Sequence, residues 1–148
     1  MANEAELERI SNELSMLQAR GEAIRQQMQA MQAAILEVTS ALELIDNIKK
    51  VKGDALVPIG SGVFISCPKP DPEKIVLSVG SGMLVQKKPD EAMKILQERQ
   101  KRMSDSLATS QSSLDETIKA IERLTYQASA LGAAEERRNV RAPEKQAD

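Results

Sequence analysis

The first third of the sequence carries an apolar repeat that advances in alternating steps of three and four residues. A period of 3.5 sustained over so many turns indicates a coiled coil, because a helix of a compact domain has a wider apolar stripe and seldom runs so far. The seam positions are Leu7, Ile10, Leu14, Leu17, Gly21, Ile24, Met28, Met31, Ile35, Val38, Leu42 and Ile45. Only Gly21 interrupts their apolar character. Residues 1–52 are therefore predicted to form one long helix that stops at Gly53.

A second seam of the same kind follows Pro89, Asp90 and Glu91, a proline and two acids that suit a first helical turn. Its positions are Met93, Leu96, Gln100, Met103, Leu107, Ser110, Leu114, Thr117, Ile121, Leu124, Ala128 and Leu131. The three polar members are tolerable at isolated core positions, where they cost stability and help to fix the register. Residues 89–134 are predicted to form the second helix, and residues 135–148 a disordered tail.

The two seams have equal numbers of positions, twelve each, and flank a short middle segment. The simplest geometry folds the chain back into an antiparallel two-helix coiled coil, with Gly21 opposite Thr117 and Ile45 opposite Met93. The alternative is that the two helices belong to a compact bundle. We favour the coiled coil, because the strict repeat is much longer than a bundle helix needs.

The middle segment, residues 53–88, differs in kind, with aliphatic and β-branched runs punctuated by glycine and proline. It contains an internal repeat offset by 20 residues, in which 56–63 resembles 76–83. Each copy contains Gly-Ser-Gly, which suits a tight hairpin turn because glycine accepts a positive φ. Two β-hairpins are predicted, 55–59 with 62–67 and 74–79 with 82–87. The fold class is thus α+β, mainly α.

The predicted strands carry apolar residues on both faces, and two helices that share one seam provide no further layer to cover them. We therefore predict that the hairpins are buried against other subunits. The alternative, that the helices fold over the hairpins within one chain, would break the matched seams. The predicted assembly residues are Leu56, Val57, Ile59, Val63, Phe64, Ile65, Ile75, Val76, Leu77, Val79, Met83, Leu84 and Val85.

Composition argues against several other classes of protein. The chain has no histidine, one cysteine, and only Phe64 and Tyr126 as aromatic residues, so we expect neither a catalytic site nor a conventional globular core. Basic and acidic residues are interspersed and the net charge is −2, which argues against nucleic acid binding. No apolar run is long enough for a membrane span. We expect a cytoplasmic, non-enzymatic protein without cofactor or metal, in which Cys67 is an inert strand residue.

The arrangement of helix, two glycine-turn hairpins and returning helix resembles the alpha-class subunits of prefoldin. The specific signals are the segments 56–65 and 79–83, together with the entry to the second helix at 87–92. Beta-class subunits have one hairpin, so the doubled hairpin indicates the alpha class. Ser61 and Ser81 depart from the family pattern, which often has a further glycine at this turn position.

The resemblance implies a hexamer of two alpha and four beta subunits, whose hairpins form a β-barrel platform from which coiled coils project. It also implies ATP-independent capture of non-native polypeptides, which are passed to a group II chaperonin. Helix ends fray most easily, so we expect clients at the coil tips. The expected client-binding residues are Leu7, Ile10, Leu14, Leu17, Leu124 and Leu131. The alternative function is a structural scaffold or tether with one defined partner.

Overall fold

The structure is a computed structural model and describes residues 2–141. The chain has two long helices, and two small antiparallel sheets of two strands each lie between them in the sequence. The elements in chain order are α1 (Ala2–Ile48), β1 (Ala55–Gly60), β2 (Val63–Cys67), β3 (Ile75–Gly80), β4 (Met83–Lys87) and α2 (Pro89–Arg141). This is the predicted class, mainly α with two hairpins between the helices.

The seams predicted from the 3.5-residue repeat are the packed faces of both helices. None of the twenty-four seam positions is exposed. The buried ones are Ile10, Gly21, Met28, Ile45, Leu96, Leu114 and Thr117. Gly21 lies opposite Thr117, as predicted, since a Cβ on Gly21 would stand 3.7 Å from the Thr117 methyl carbon. Further along, Thr39 contacts Gln100 and Ile45 packs with Ala92, so the helices run antiparallel.

The described chain divides into two compact units. One unit combines α1 up to Ala30 with α2 from Leu107 onwards and contains the layer of Gly21 and Thr117. The other unit is Met31–Ser106, which contains both hairpins and the adjoining parts of the helices. Each unit has its own packing and is described by itself below.

Two of the three polar seam positions, Gln100 and Thr117, form side-chain hydrogen bonds. The Gln100 side-chain amide donates to the Thr39 hydroxyl at 2.8 Å, and that hydroxyl donates to the Ile35 carbonyl at 2.8 Å. In the other unit the buried Thr117 hydroxyl donates to the Ser113 carbonyl at 2.7 Å. Among the described residues no buried side-chain nitrogen or oxygen lacks a partner. Gln100 and Thr117 therefore interrupt the apolar seam without leaving a buried polar group unpaired.

The internal repeat is reproduced in the geometry of the two hairpins. Ser61 and Gly62 have φ values of 50° and 75°, and Ser81 and Gly82 have 51° and 73°. Positive φ at both central residues is the turn that matches the twist of a hairpin. Each first strand also contains a bulge in the same place, between Pro58 and Gly60 and between Ser78 and Gly80. Residues twenty apart therefore occupy equivalent positions.

The second hairpin packs on the helices of its own chain, and this corrects the prediction that no strand has cover within the chain. Leu77 is 7% exposed in a cluster with Ile45, Ala92 and Leu96. Two further strand residues, Ile75 and Val85, pack against this cluster. The sequence disfavours helices that cover strands, because such cover is expected to break the seams, yet Ile45 and Leu96 keep their seam positions. One face of the second hairpin packs against the seam at Ile45 and Leu96.

The helix ends differ from the predicted ones. α1 ends at Ile48, four residues before the predicted limit, and a turn follows in which the Lys50 amide donates to the Asn47 carbonyl at 2.9 Å. α2 begins at Pro89 as predicted but continues to Arg141. Residues 135–141 are thus helical where a disordered tail was predicted, because alanine, glutamate and arginine favour helix without an apolar seam. The rest of the predicted tail lies outside the described residues.

We predict that Gly21→Ala stabilises the coil by about 1 kcal/mol, since glycine is disfavoured in a helix interior by that amount. The added methyl group would meet Thr117 and Leu114 at 3.7 and 3.9 Å, which is ordinary van der Waals contact. The midpoint of thermal unfolding, followed by circular dichroism, should rise. Gly132→Ala in α2 is the control for helix propensity alone, because its methyl group would meet nothing within 4 Å, and it should raise the midpoint as well. A lower midpoint for Gly21→Ala would show that the layer at Gly21 is too tight for a methyl group.

Candidate functional site

Most of the large apolar residues that are exposed in the described chain lie on the hairpins. Ten of the thirteen predicted assembly residues are exposed, whereas Ile75, Leu77 and Val85 are covered by the helices. The exposed ones are Leu56, Val57, Ile59, Val63, Phe64, Ile65, Val76, Val79, Met83 and Leu84. So many exposed apolar side chains on two small sheets mark an interaction surface.

The two hairpins differ in how many of their faces are open. Neighbouring residues of a strand point to opposite faces. In β1 both Leu56 and Val57 are exposed, at 69% and 44%, so both faces of the first hairpin are open. In β3 Val76 is 58% exposed while Leu77 is buried, so the second hairpin has one open face. The first hairpin can therefore be covered on both faces only by other chains.

A polar contact adds to the apolar cluster that holds the second hairpin. The Arg99 guanidinium of α2 donates a hydrogen bond to the Ser78 carbonyl of β3. Ser78 pairs with Leu84 of β4 in the register of this hairpin. The outer side of β3 is thus in contact with α2, a feature that the heptad pattern did not predict because Arg99 lies beside the seam and not in it.

The predicted client-binding residues, which we call the terminal seam, are Leu7, Ile10, Leu14, Leu17, Leu124 and Leu131. Ile10 is 2% exposed and the other five are half-buried, so in the closed coil all six pack between the helices. Their role in client binding stays a prediction. The predicted client-binding set does not include three exposed apolar residues of the same unit, Met16, Tyr126 and Val140. The sequence signal for these residues was an apolar side chain at a helix position outside the seam.

The structure gives no indication of chemistry at these surfaces. No group of histidine, cysteine, aspartate or glutamate within residues 2–141 could hold a metal ion. Cys67 is a free, half-buried thiol at the end of β2 and pairs with Ala55 in the sheet register. Among the described helices, none is both long and apolar enough to cross a membrane. Both Gly-Ser-Gly segments are hairpin turns.

Comparison with known proteins identifies the family. The sequence model described as Prefoldin subunit matches residues 17–134, a range that contains both hairpins and most of both helices. The chain belongs to the prefoldin family. Prefoldin subunit alpha of Pyrococcus horikoshii is 34% identical over 122 residues, which cover 80% of this chain and 82% of the relative. Prefoldin subunit alpha of Methanobrevibacter smithii is 28% identical over 134 residues, which cover 90% and 92%. The predicted resemblance to alpha-class prefoldin is confirmed.

Two solved structures share the prefoldin fold with this chain. A chain of the filamentous prefoldin of Methanocaldococcus jannaschii matches with a TM-score of 0.68 at 23% identity, over 78% of this chain and 98% of the other. The prefoldin beta subunit of Thermococcus strain KS-1 matches with a TM-score of 0.58 at 22% identity, over 85% and 92%. At these identities the likeness concerns the fold.

We predict that changing Val57 and Val79 together to Asp disrupts assembly but not the isolated chain. Both side chains are 44% exposed in the single chain, so a carboxylate there stays hydrated. In a complex that buries the hairpins, each unpaired charge would cost several kcal/mol. Native mass spectrometry with a beta-class prefoldin should show small species, while circular dichroism shows unchanged helix content.

Leu77→Ala is the control variant, and for it we expect the isolated chain itself to be destabilised. Leu77 packs against Ile45, Ala92 and Leu96 within the chain, so its truncation should destabilise the isolated protein by about 2–5 kcal/mol. An intact complex of the Val57 and Val79 double variant would contradict the assignment of the hairpins as the assembly surface.

Proposed function

We propose that this chain is a subunit of an ATP-independent molecular chaperone that assembles through its hairpins and captures non-native polypeptides with its coiled coil. In this proposal two copies combine with four beta-class prefoldin subunits in the cytoplasm, and the hairpins together form a β-barrel platform. Captured polypeptides are passed to a group II chaperonin. The open apolar surface of the two hairpins, in a chain of the prefoldin family, is the observation that carries the proposal.

The hairpin surface supports assembly because a two-stranded sheet is marginally stable by itself in water. The first hairpin has no buried residue, and only Ala55 and Cys67 at its ends are half-buried. Burying its apolar side chains would contribute about 25 cal/mol for each Å² removed from water. The exposed strand edges would also gain hydrogen-bonding partners from neighbouring strands. A platform built from several hairpins satisfies both needs.

The terminal seam supports client capture because it is apolar and lies in the unit that contains the first turns of α1. Helix termini lack part of their hydrogen bonding, so local opening costs least there. Opening would expose Leu7, Ile10 and Leu131 to a polypeptide that itself exposes apolar side chains. Several coils in one complex could hold one client through effective concentration, although each contact is weak.

We predict that a chain lacking residues 1–17 and 121–148 still assembles with beta-class subunits but no longer protects a client. The deletion removes the terminal seam and keeps the layers from Gly21 to Ile45, whose helices are anchored by the hairpin cluster. Native mass would report the assembly. Light scattering of a chemically unfolded test protein, diluted into the complex, would report protection from aggregation.

Substitutions in the terminal seam test the same prediction more mildly than the deletion and allow a matched control. Changing Leu7, Ile10 and Leu131 to Ser removes apolar contacts worth about 1–3 kcal/mol for each fully buried side chain and should weaken protection. The matched control is Leu36→Ser with Leu44→Ser, which changes two exposed α1 residues outside the seam. This control should leave protection of the client unchanged. Full protection by an intact truncated complex would place client binding elsewhere. If even the unaltered complex protects no unrelated client, the chain is a scaffold or tether for one defined partner.

A further inference from the structure

Gln100 is a seam residue of α2 that reaches across to α1 with a hydrogen bond. Its side-chain amide donates to the Thr39 hydroxyl at 2.8 Å, and that hydroxyl donates to the Ile35 carbonyl of its own helix at 2.8 Å. Both residues are half-buried. Because the hydroxyl proton is used by the Ile35 carbonyl, the hydroxyl oxygen can only accept from Gln100. The pair is therefore a directional contact within a mostly apolar seam.

Thr117, another polar seam residue, bonds within its own helix. Its hydroxyl donates to the Ser113 carbonyl at 2.7 Å, four residues earlier in α2. Gly21 lies opposite and has no side chain that could bond. The Thr117 bond would be the same whichever residue of α1 stood opposite, so this layer does not favour one pairing of the helices over another.

The apolar contacts next to the hairpins would tolerate a displacement of α1 by one heptad along α2, which we call the slipped register. In it Val38 takes the place of Ile45, and Ala34 takes the place of Ala41. Each exchange keeps an apolar side chain, and burial of apolar area is not directional. The second hairpin is tied to α2 by one residue, whereas six residues connect α1 to β1. Apolar packing therefore defines the position of α1 only weakly.

The layer of Gln100 and Thr39 does not tolerate the same displacement. In the slipped register Gln32 takes the place of Thr39. Gln32 is exposed in the observed register, and its long side chain loses more conformational entropy on burial than the stiff side chain of threonine. Two long amides would also have to occupy the space of one amide and one hydroxyl. This layer therefore distinguishes two registers that the apolar layers leave nearly equivalent.

We propose that Gln100 and Thr39 fix the register in which α1 pairs with α2. A polar residue at a core position can specify the register of a coiled coil at some cost in stability. Both are positioning residues, because they act through the pairing of the helices. The inference goes beyond the proposed function, since it concerns the isolated chain and holds whether or not the chain captures clients.

Disulfide trapping in the isolated full chain reports the register directly. The chain contains Cys67→Ser together with Met103→Cys, Ile35→Cys and Met28→Cys. Counted along the two seams, Met103 lies opposite Ile35 in the observed register and opposite Met28 in the slipped one. Mild oxidation at low protein concentration traps both pairings within single chains. The share of the disulfide between positions 28 and 103, measured by peptide mass spectrometry, gives the slipped fraction.

Gln100→Leu should raise the slipped fraction about tenfold, which corresponds to about 1.4 kcal/mol of lost discrimination. The midpoint of thermal unfolding should not fall, because leucine suits a seam position. Thr117→Val is the matched control, since it removes a seam hydroxyl that bonds within α2, and it should leave the slipped fraction unchanged. No rise with Gln100→Leu would assign the register to the hairpin cluster and overturn the proposal. An equal rise with Thr117→Val would overturn it as well.

Gln32→Thr tests the same pair by adding a contact to the slipped register. Gln32 is exposed, so the change leaves the observed packing intact while giving Gln100 a threonine hydroxyl to bond after the slip. The slipped fraction should rise about threefold or more. Gln29→Thr is the matched control, because it makes the same exchange at an exposed position that neither register brings opposite Gln100. Equal slipped fractions in these two variants would overturn the assignment of the register to the amide and hydroxyl pair.

Discussion

Four buried side chains fix the second hairpin on the helices, and the surface that the chain offers to partners depends on them. Ile45 comes from α1, Leu77 from β3, and Ala92 and Leu96 from α2. A two-stranded sheet has two faces, and this cluster covers the face that contains Leu77. Val76 on the opposite face stays open. The same cluster places β3 beside α2, where the Arg99 guanidinium donates a hydrogen bond to the Ser78 carbonyl.

Two hairpins with nearly repeated sequences have different surroundings because they are joined differently to the helices. β4 ends at Lys87 and α2 begins at Pro89, so one residue connects them and the second hairpin must stay close to α2. Six residues separate the end of α1 at Ile48 from β1 at Ala55. Val57, the counterpart of the buried Leu77, is consequently exposed. Chain connectivity, more than side-chain chemistry, decides which copy of the repeat is covered.

The features that sequence predicted are those governed by local period and turn chemistry. Every position of the 3.5-residue repeat is packed, and the glycine turns located both hairpins to within a residue or two. The repeat did not include Ala92, which is fully buried beside the second hairpin. The cover of Leu77 was missed because a period describes one face of one element, and it does not say which other element lies against that face. The contact between Gln100 and Thr39 was missed for the same reason, since Thr39 lies one residue beside the seam. Residues 135–141 are helical because their residue types have a high intrinsic helix propensity. No apolar repeat accompanies them, so the heptad pattern did not predict this part of the helix.

The terminal seam would have to serve both helix packing and client binding with the same side chains. Ile10 is almost fully buried in the closed coil, so a client that contacts it replaces a helix as its apolar neighbour. Because apolar area is buried in both states, the net free energy gained by one coil is small. Retention of a client then depends on several coils acting together. Gly21 would contribute to this balance, since a glycine in the seam lowers coil stability next to the layers that must open. Within the proposed function, coil stability and client capture are thus opposed at Gly21, which gives a physical reason for a glycine at a position where alanine would fit.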